Sequence, residues 1–484
     1  MIDLLAPGGG LERAIPYYED RAEQRTMSAA VARALDDGRP LIVEAGTGTG
    51  KTLAYLIPAL QSGKRVVVST GTRALQDQIA RHDIPLLRTI LARPFSAVVL
   101  KGVANYVCRR KLAEAVSRGA SEAVSTLVDW SEHSETGDRS EVEWLAEAAP
   151  LWTDVTTTPD ARIGPRCPYF ERCFVTQARR LAEKAELILV NHHLYFADRA
   201  LRAAHPGAKV LPEHDAVIFD EAHQLEDVAT EHFGARVSTH KLAQLVRDAH
   251  IALARMPLWT GRAATDTIDA VERSGISLFA MIRGALIGET ESRMHLPPGL
   301  FDQPDRQTAW FKLDNALEEL ARASEAESES PPDGEDSDDA GARASLNGLA
   351  RRAREMRDDL ATIAEQRQRS HVYWGEVRPT GTLLTASPIE VGELVRRHIV
   401  TAGPTPIFTS ATLAAAGDFS YQRARLGLEP NSCDELLVPS PFDYATQALL
   451  YVPRDLPPPA DDSFSASAAQ RTLELLEITN GRAC

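Results

Sequence analysis

Short apolar runs recur along the chain at Leu41–Val43, Arg65–Ser69, Ala97–Leu100, Leu187–Val190, Ala216–Phe219, Ile407–Thr409 and Leu449–Val452. They are nearly continuous rather than alternating, the pattern of parallel strands covered on both faces. Helical stretches follow several of them, as at Lys51–Leu60 and Arg73–His82. Strand and helix in alternation predict an α/β fold built on an open parallel sheet. Two long stretches interrupt the alternation. The first, about 106–185, holds three cysteines; the second, about 236–384, is mostly helical. In the second, Leu346, Leu349, Ala353, Met356, Leu360 and Ile363 alternate spacings of three and four, a heptad seam that predicts a helix packed on its neighbour.

Two strand ends carry chemistry. The first predicted strand runs into Ala45, Gly46, Thr47, Gly48, Thr49, Gly50, Lys51 and Thr52, a P-loop with Ala45 where the strict pattern has glycine. Three glycines let backbone N–H groups curl around a phosphate. The helix that follows adds its positive end. Lys51 would neutralise the β- and γ-phosphates of ATP, and Thr52 would ligate Mg²⁺. A Gly/Thr turn alone would be an ordinary loop; the strand before it and the helix after it favour a nucleotide site.

The run Ala216–Phe219 ends in Asp220 and Glu221, followed by Ala222 and His223. An acid pair after a strand is usually a solvated strand end. Beside a P-loop it supplies the two carboxylates that an ATPase requires. Asp220 is the expected Mg²⁺ partner and Glu221 the expected general base.

The P-loop followed by Asp220–His223 resembles the DEAH-box helicases. Arg21 and Gln24 look like the family's adenine-reading segment, and Ser69–Gln78 resembles its DNA-backbone grip, which implies contacts from Thr70, Thr72 and Gln76. Val190–Leu194 resembles the segment that precedes the acidic strand; His192 and His193 within it read as structural. Thr409–Leu413 resembles the motif that couples hydrolysis to DNA movement, which implies coupling roles for His223, Ser410 and Thr412. Ser440–Tyr444 is a further landmark. Together these are similar to the bacterial DinG/YoaA branch, relatives of the eukaryotic XPD helicase, in superfamily 2. The resemblance implies a RecA-like fold and ATP-driven unwinding of forked DNA from a 5′ single-stranded tail, with 5′-to-3′ movement, in repair or replication.

It also implies a domain plan: motor domain 1 from 1–105, 186–235 and 385–430, an iron–sulfur domain at 106–185, a helical arch at 236–384, and the start of motor domain 2 at 431–484. Cys108, Cys167 and Cys173 resemble three of the four ligands of the family's 4Fe–4S cluster. The fourth position holds Arg162, which has no lone pair for iron. Three readings stand open: a cluster on three cysteines, an oxygen ligand from Asp160, or a lost cluster. Zinc on the three cysteines is a fourth. The surrounding Arg109, Arg110, Lys111, Arg172, Arg179 and Arg180 form a basic cluster suited to phosphate, or a solvated face.

Bulk properties add little. The chain has 484 residues, ordinary globular composition and five cysteines, too few for a disulfide scaffold. The net charge of −15 owes much to Glu325–Asp339, eight acids with no Lys or Arg, read as a disordered acidic loop. Neither a bilayer-spanning run nor a signal peptide is found, so a cytoplasmic monomer is expected, with replication or repair proteins as possible partners. About twenty residues precede Arg21, which leaves no room for an appended nuclease. The chain is expected to stop early in motor domain 2, short of arginines that reach the γ-phosphate, and so to bind ATP and DNA but hydrolyse and unwind poorly. The alternative is a non-enzymatic ATP- and DNA-binding fragment.

Overall fold

A computed structural model describes residues 4–481 apart from 17, 120, 147–148, 160–161, 205–206, 254–261, 287–292 and 330–336. Its centre is a seven-stranded parallel sheet of β1 (Leu41–Ala45), β2 (Val66–Thr70), β3 (Ala97–Val99), β4 (Leu187–Asn191), β5 (Ala216–Asp220), β10 (Thr405–Ser410) and β11 (Asp434–Val438). The order across the sheet is β11-β1-β10-β5-β2-β4-β3. Strands alternate their side chains between two faces, and here both faces are buried. Leu41, Val43, Val66, Val68, Ala216, Ile218 and Ile407 enter one core cluster. Ile42, Val67, Val217, Phe219 and Phe408 enter the other. This two-sided burial is why the runs are continuous in sequence.

Helices Ala22–Asp37 and Lys51–Gln61 cover the first face, and Leu225–Phe233 and Val391–Val395 contribute to the second. The predicted helix Arg73–His82 is α-helical to Gln78 and continues as a π-turn, Ile79–Asp83.

The stretch 106–185 folds around its own core, which includes Tyr106, Leu112, Leu127, Trp152 and Phe174. The second insertion has four long helices, Thr239–Leu253, Arg262–Leu286, Pro304–Glu329 and Ser337–Glu365. The heptad-seam residues are all buried to 2% exposure or less. This insertion also contains a sheet absent from the sequence reading. It is antiparallel, ordered β6-β9-β8-β7, from β6 (Ala235–Ser238), β7 (Arg293–His295), β8 (His371–Arg378) and β9 (Gly381–Pro388). Its buried positions, Tyr373, Leu384 and Ala386, join the helical core.

Three expectations are corrected. The boundary at 431 falls too early, because β11 pairs in parallel with β1 from Leu41↔Asp434 to Ala45↔Val438; the second compact unit is Ser440–Cys484. In that unit Leu449–Val452 forms no strand and is 45–93% exposed. An apolar run becomes a strand only where a ladder partner takes its N–H and C=O groups, and none of the described residues pairs with it. The acidic stretch is not wholly a loop: helix Pro304–Glu329 takes its first part and Ser337–Glu365 its last, while 330–336 lie outside the described residues.

Candidate active site and cysteine cavity

The C-terminal ends of β1, β5 and β10 meet at one edge of the sheet, where open α/β folds place ligands. After β1 the P-loop turns through Gly48 and Gly50, both left-handed at φ 85° and 77°. A Cβ at Gly50 would also have to displace the end of the Gln24 side chain. Gln24 is buried and donates from Nε2 to Gly50 O at 3.0 Å. Arg21 donates to Gly48 O, and Thr49 Oγ1 to Gly46 O at 2.6 Å. The two residues expected to read adenine therefore also brace the loop. Ala45 is a fully buried strand residue and Thr47 is exposed.

Asp220 ends β5 and is 3% exposed. Its Oδ2 accepts from Tyr55 Oη at 3.0 Å and its Oδ1 from Glu221 N–H at 3.1 Å. Burial, then the neighbouring Glu221 charge, pushes its carboxyl up to about 6, while Tyr55 and Lys51 oppose the shift. Tyr55 sits one turn beyond Thr52, which lies beside its hydroxyl. Glu221 adopts φ 58°, ψ 45°, unusual for a side chain of its size. That turn aims its Oε2 at Ser410 Oγ, 3.2 Å away, and Ser410 in turn meets His223 Nδ1 at 2.8 Å. Ser410 Oγ also accepts from Thr412 N–H at 3.4 Å.

Three contributors escaped the sequence reading. Tyr55 was legible only as a polar atom at helical spacing from Thr52. Glu44, a charge inside an apolar strand, accepts from the backbone N–H groups of both Leu413 and Ala414 at 2.6 Å. It thereby ties the P-loop strand to the segment after β10. Gln224 packs its amide over Gly71, where a Cβ would meet it at 2.5 Å. His192, read from the sequence as structural, is fully buried, 2.7 Å from Ser69 Oγ, and burial holds its pKa down to about 3.

The residues expected to grip DNA differ in exposure. Of Thr70, Thr72 and Gln76, only Thr72 is exposed, and it caps the helix Arg73–Gln78 by accepting from Leu75 N–H at 3.3 Å. Thr70 and Gln76 are buried, at 0% and 1% exposure, and Thr70 Oγ1 donates to Thr72 O at 3.0 Å.

In the first insertion Cys108, Cys167, Cys173 and Arg162 line one cavity. Cys108 and Cys173 each immediately precede a helix, Arg109–Ser117 and Phe174–Ala182. Burial pushes the Cys108 thiol up. Arg162 Nη2 donates to Thr176 Oγ1 at 2.7 Å, and its Nε is buried without a partner. Asp160 and Cys484 lie outside the described residues. The basic cluster around the cavity is largely neutralised by its own acids. Arg109 and Arg172 pair with Glu132, Arg110 with Glu114 and Arg180 with Glu171. Among the described residues no helix is long and apolar enough to cross a membrane.

Residues 24–144 match the family model described as DEAD/DEAH box helicase, and residues 156–242 match DEAD_2. The ATP-dependent DNA helicase YoaA of Escherichia coli (strain K12) is 36% identical over 491 residues, covering 100% of this chain and 73% of its own length. YoaA of Haemophilus influenzae is 31% identical, covering 99% and 73%. The ATP-dependent helicase DinG of Mycobacterium tuberculosis (strain H37Rv) is 30% identical, covering 96% and 70%. A solved XPD helicase shares the fold at a TM-score of 0.50 and 14% identity, covering 94% of this chain and 70% of that one.

Proposed function

The chain belongs to the DEAD/DEAH-box helicases, in the DinG/YoaA group, and on that premise we propose that it is an ATP-dependent DNA helicase working at the shared edge of β1, β10 and β5. The observation that carries this reading is the contact chain from nucleotide loop to coupling segment. Asp220, at the end of β5, is bonded to Tyr55 of the P-loop helix, and the next residue, Glu221, touches Ser410 on β10. Gly46–Thr52 would cradle the phosphates of ATP, with Lys51 against the β- and γ-groups. Arg21 and Gln24, already at the loop, would meet the base.

Mg²⁺, when bound, supplies positive charge against the phosphates. Thr52 and Asp220 would hold it. Asp220 is prepared for that by two donors, which fix its carboxylate without filling every lone pair. Glu221 would orient and deprotonate the attacking water. Its left-handed backbone is a strain of the kind stored at working sites. Loss of the γ-phosphate would be felt by Glu221, and through Ser410 by His223 and Thr412. Glu44 carries the same event to Leu413 and Ala414.

We assign the motor to 1–105, 186–234 and the segment from 389 through β11, with 106–185 and 235–388 as insertions, so that β6 and β9 stay whole. The DNA is taken to be a fork with a 5′ single-stranded tail, travelled 5′ to 3′. The cavity at Cys108, Cys167 and Cys173 is read as the seat of an iron–sulfur cluster. Three thiols and an orphaned buried N–H suit an anionic, sulfide-rich group.

The test is steady-state ATPase with and without single-stranded DNA. DNA-stimulated turnover, abolished in Lys51→Ala, is the result this reading requires, in place of the poor hydrolysis expected from the sequence. Nucleotide binding without turnover under either condition would instead mark a binding fragment.

A further inference from the structure

A four-iron cluster is ordinarily held by four thiolates, and this cavity offers three. Cys433, the other described cysteine, is buried in the motor core and cannot serve. Among the other lining residues is Arg162, and a guanidinium has donors but no acceptor. Arg162 has one buried N–H with nothing to bond. Arg179 lies near enough to feel its charge and that of Cys173. Arg162 Nη2 bonds the neutral Thr176 hydroxyl, while Arg179 also feels the Asp198 carboxylate. Two partly buried cations side by side are costly unless something anionic lies between or beside them.

A cluster with one iron missing presents what this wall lacks. Three thiolates suffice for three irons, and the vacant corner exposes bridging sulfides, which only accept hydrogen bonds. Arg162 N–H groups would face those sulfides, where a fourth thiol would have faced an iron. We propose, resting on the reading of this cavity as a cluster seat, that the group held here is the three-iron, four-sulfide form, with Arg162 at its vacant corner. Arg162 is then a partner to the cluster rather than a lesion in its ligand set.

The experiment is iron and acid-labile sulfide per chain, with low-temperature electron paramagnetic resonance before any reductant is added. It is made on the anaerobically purified full chain and on Arg162→Cys. The expected result is about three irons and four sulfides in the wild type, with the signal of an oxidised three-iron cluster. Arg162→Cys should carry about four irons and be silent as isolated. About four irons in a silent wild type would overturn the three-iron form and leave the cluster reading standing. Iron in the variant alone, or in neither protein, would overturn both.

Discussion

At the scale of single residues, burial decides charge. His192 is fully buried beneath the sheet edge and kept neutral, its pKa about 3 against an ordinary 6.5. The unfolded chain takes up a proton on this histidine below about pH 6.5, whereas the folded chain refuses it until about pH 3. Stability from this group is therefore complete above pH 6.5 and drains away as pH falls toward 3, at about 1.4 kcal/mol per pH unit. Denaturant midpoints of wild type and His192→Gln should differ most at pH 7. The gap should narrow by about 2 kcal/mol at pH 5; an unchanged gap would contradict the buried neutral imidazole. Gly50 makes a second case. Gly50→Ala must hold alanine in a left-handed conformation, at a cost of about 1–2 kcal/mol, and must displace Gln24. Nucleotide titration should show affinity falling tenfold or more, with the fold intact by circular dichroism.

At the scale of elements, legibility followed burial geometry. Strands covered on both faces announce themselves as continuous apolar runs, and six of the seven such runs became strands of the large sheet. The seventh, Leu449–Val452, has the same composition but no ladder partner, and hydropathy does not report partners. The four-stranded sheet was hidden because its strands are only partly buried, as in His371–Arg378, and lie amid long helical sequence. The motif residues were readable because phosphate chemistry fixes their types and spacing. Tyr55 and Glu44 were not, since their value lies in what another strand brings to them. The heptad seam was readable because one helical stripe is wholly buried. Leu360→Ala in that stripe should cost about 2–5 kcal/mol, seen as a lower denaturant midpoint, with nucleotide affinity unchanged.

At the scale of the whole molecule, the motor and its first insertion are tied by a buried cation. Lys101, its side chain 4% exposed, pairs with Asp77 on the helix after β2 at 2.8 Å and with Asp138 in the insertion at 2.7 Å. Lys101→Met would leave both acids without their shared partner, a loss of about 1–3 kcal/mol. Hydrogen exchange should quicken in 106–185 before it does in the central strands. Simultaneous loosening of both would mean that the tether is not what joins them. The order of the large sheet has a further consequence, for the birth of the chain. β10 lies between β1, which leads into the P-loop, and β5, which ends in Asp220, yet it is residues 405–410 and emerges long after both. Until it arrives, the two halves of the nucleotide site have no strand to hold them in register. Their apolar edges stand open while the second insertion is made. A nascent chain of this design holds an unfinished seam through the synthesis of its second insertion, a topology that favours slow folding.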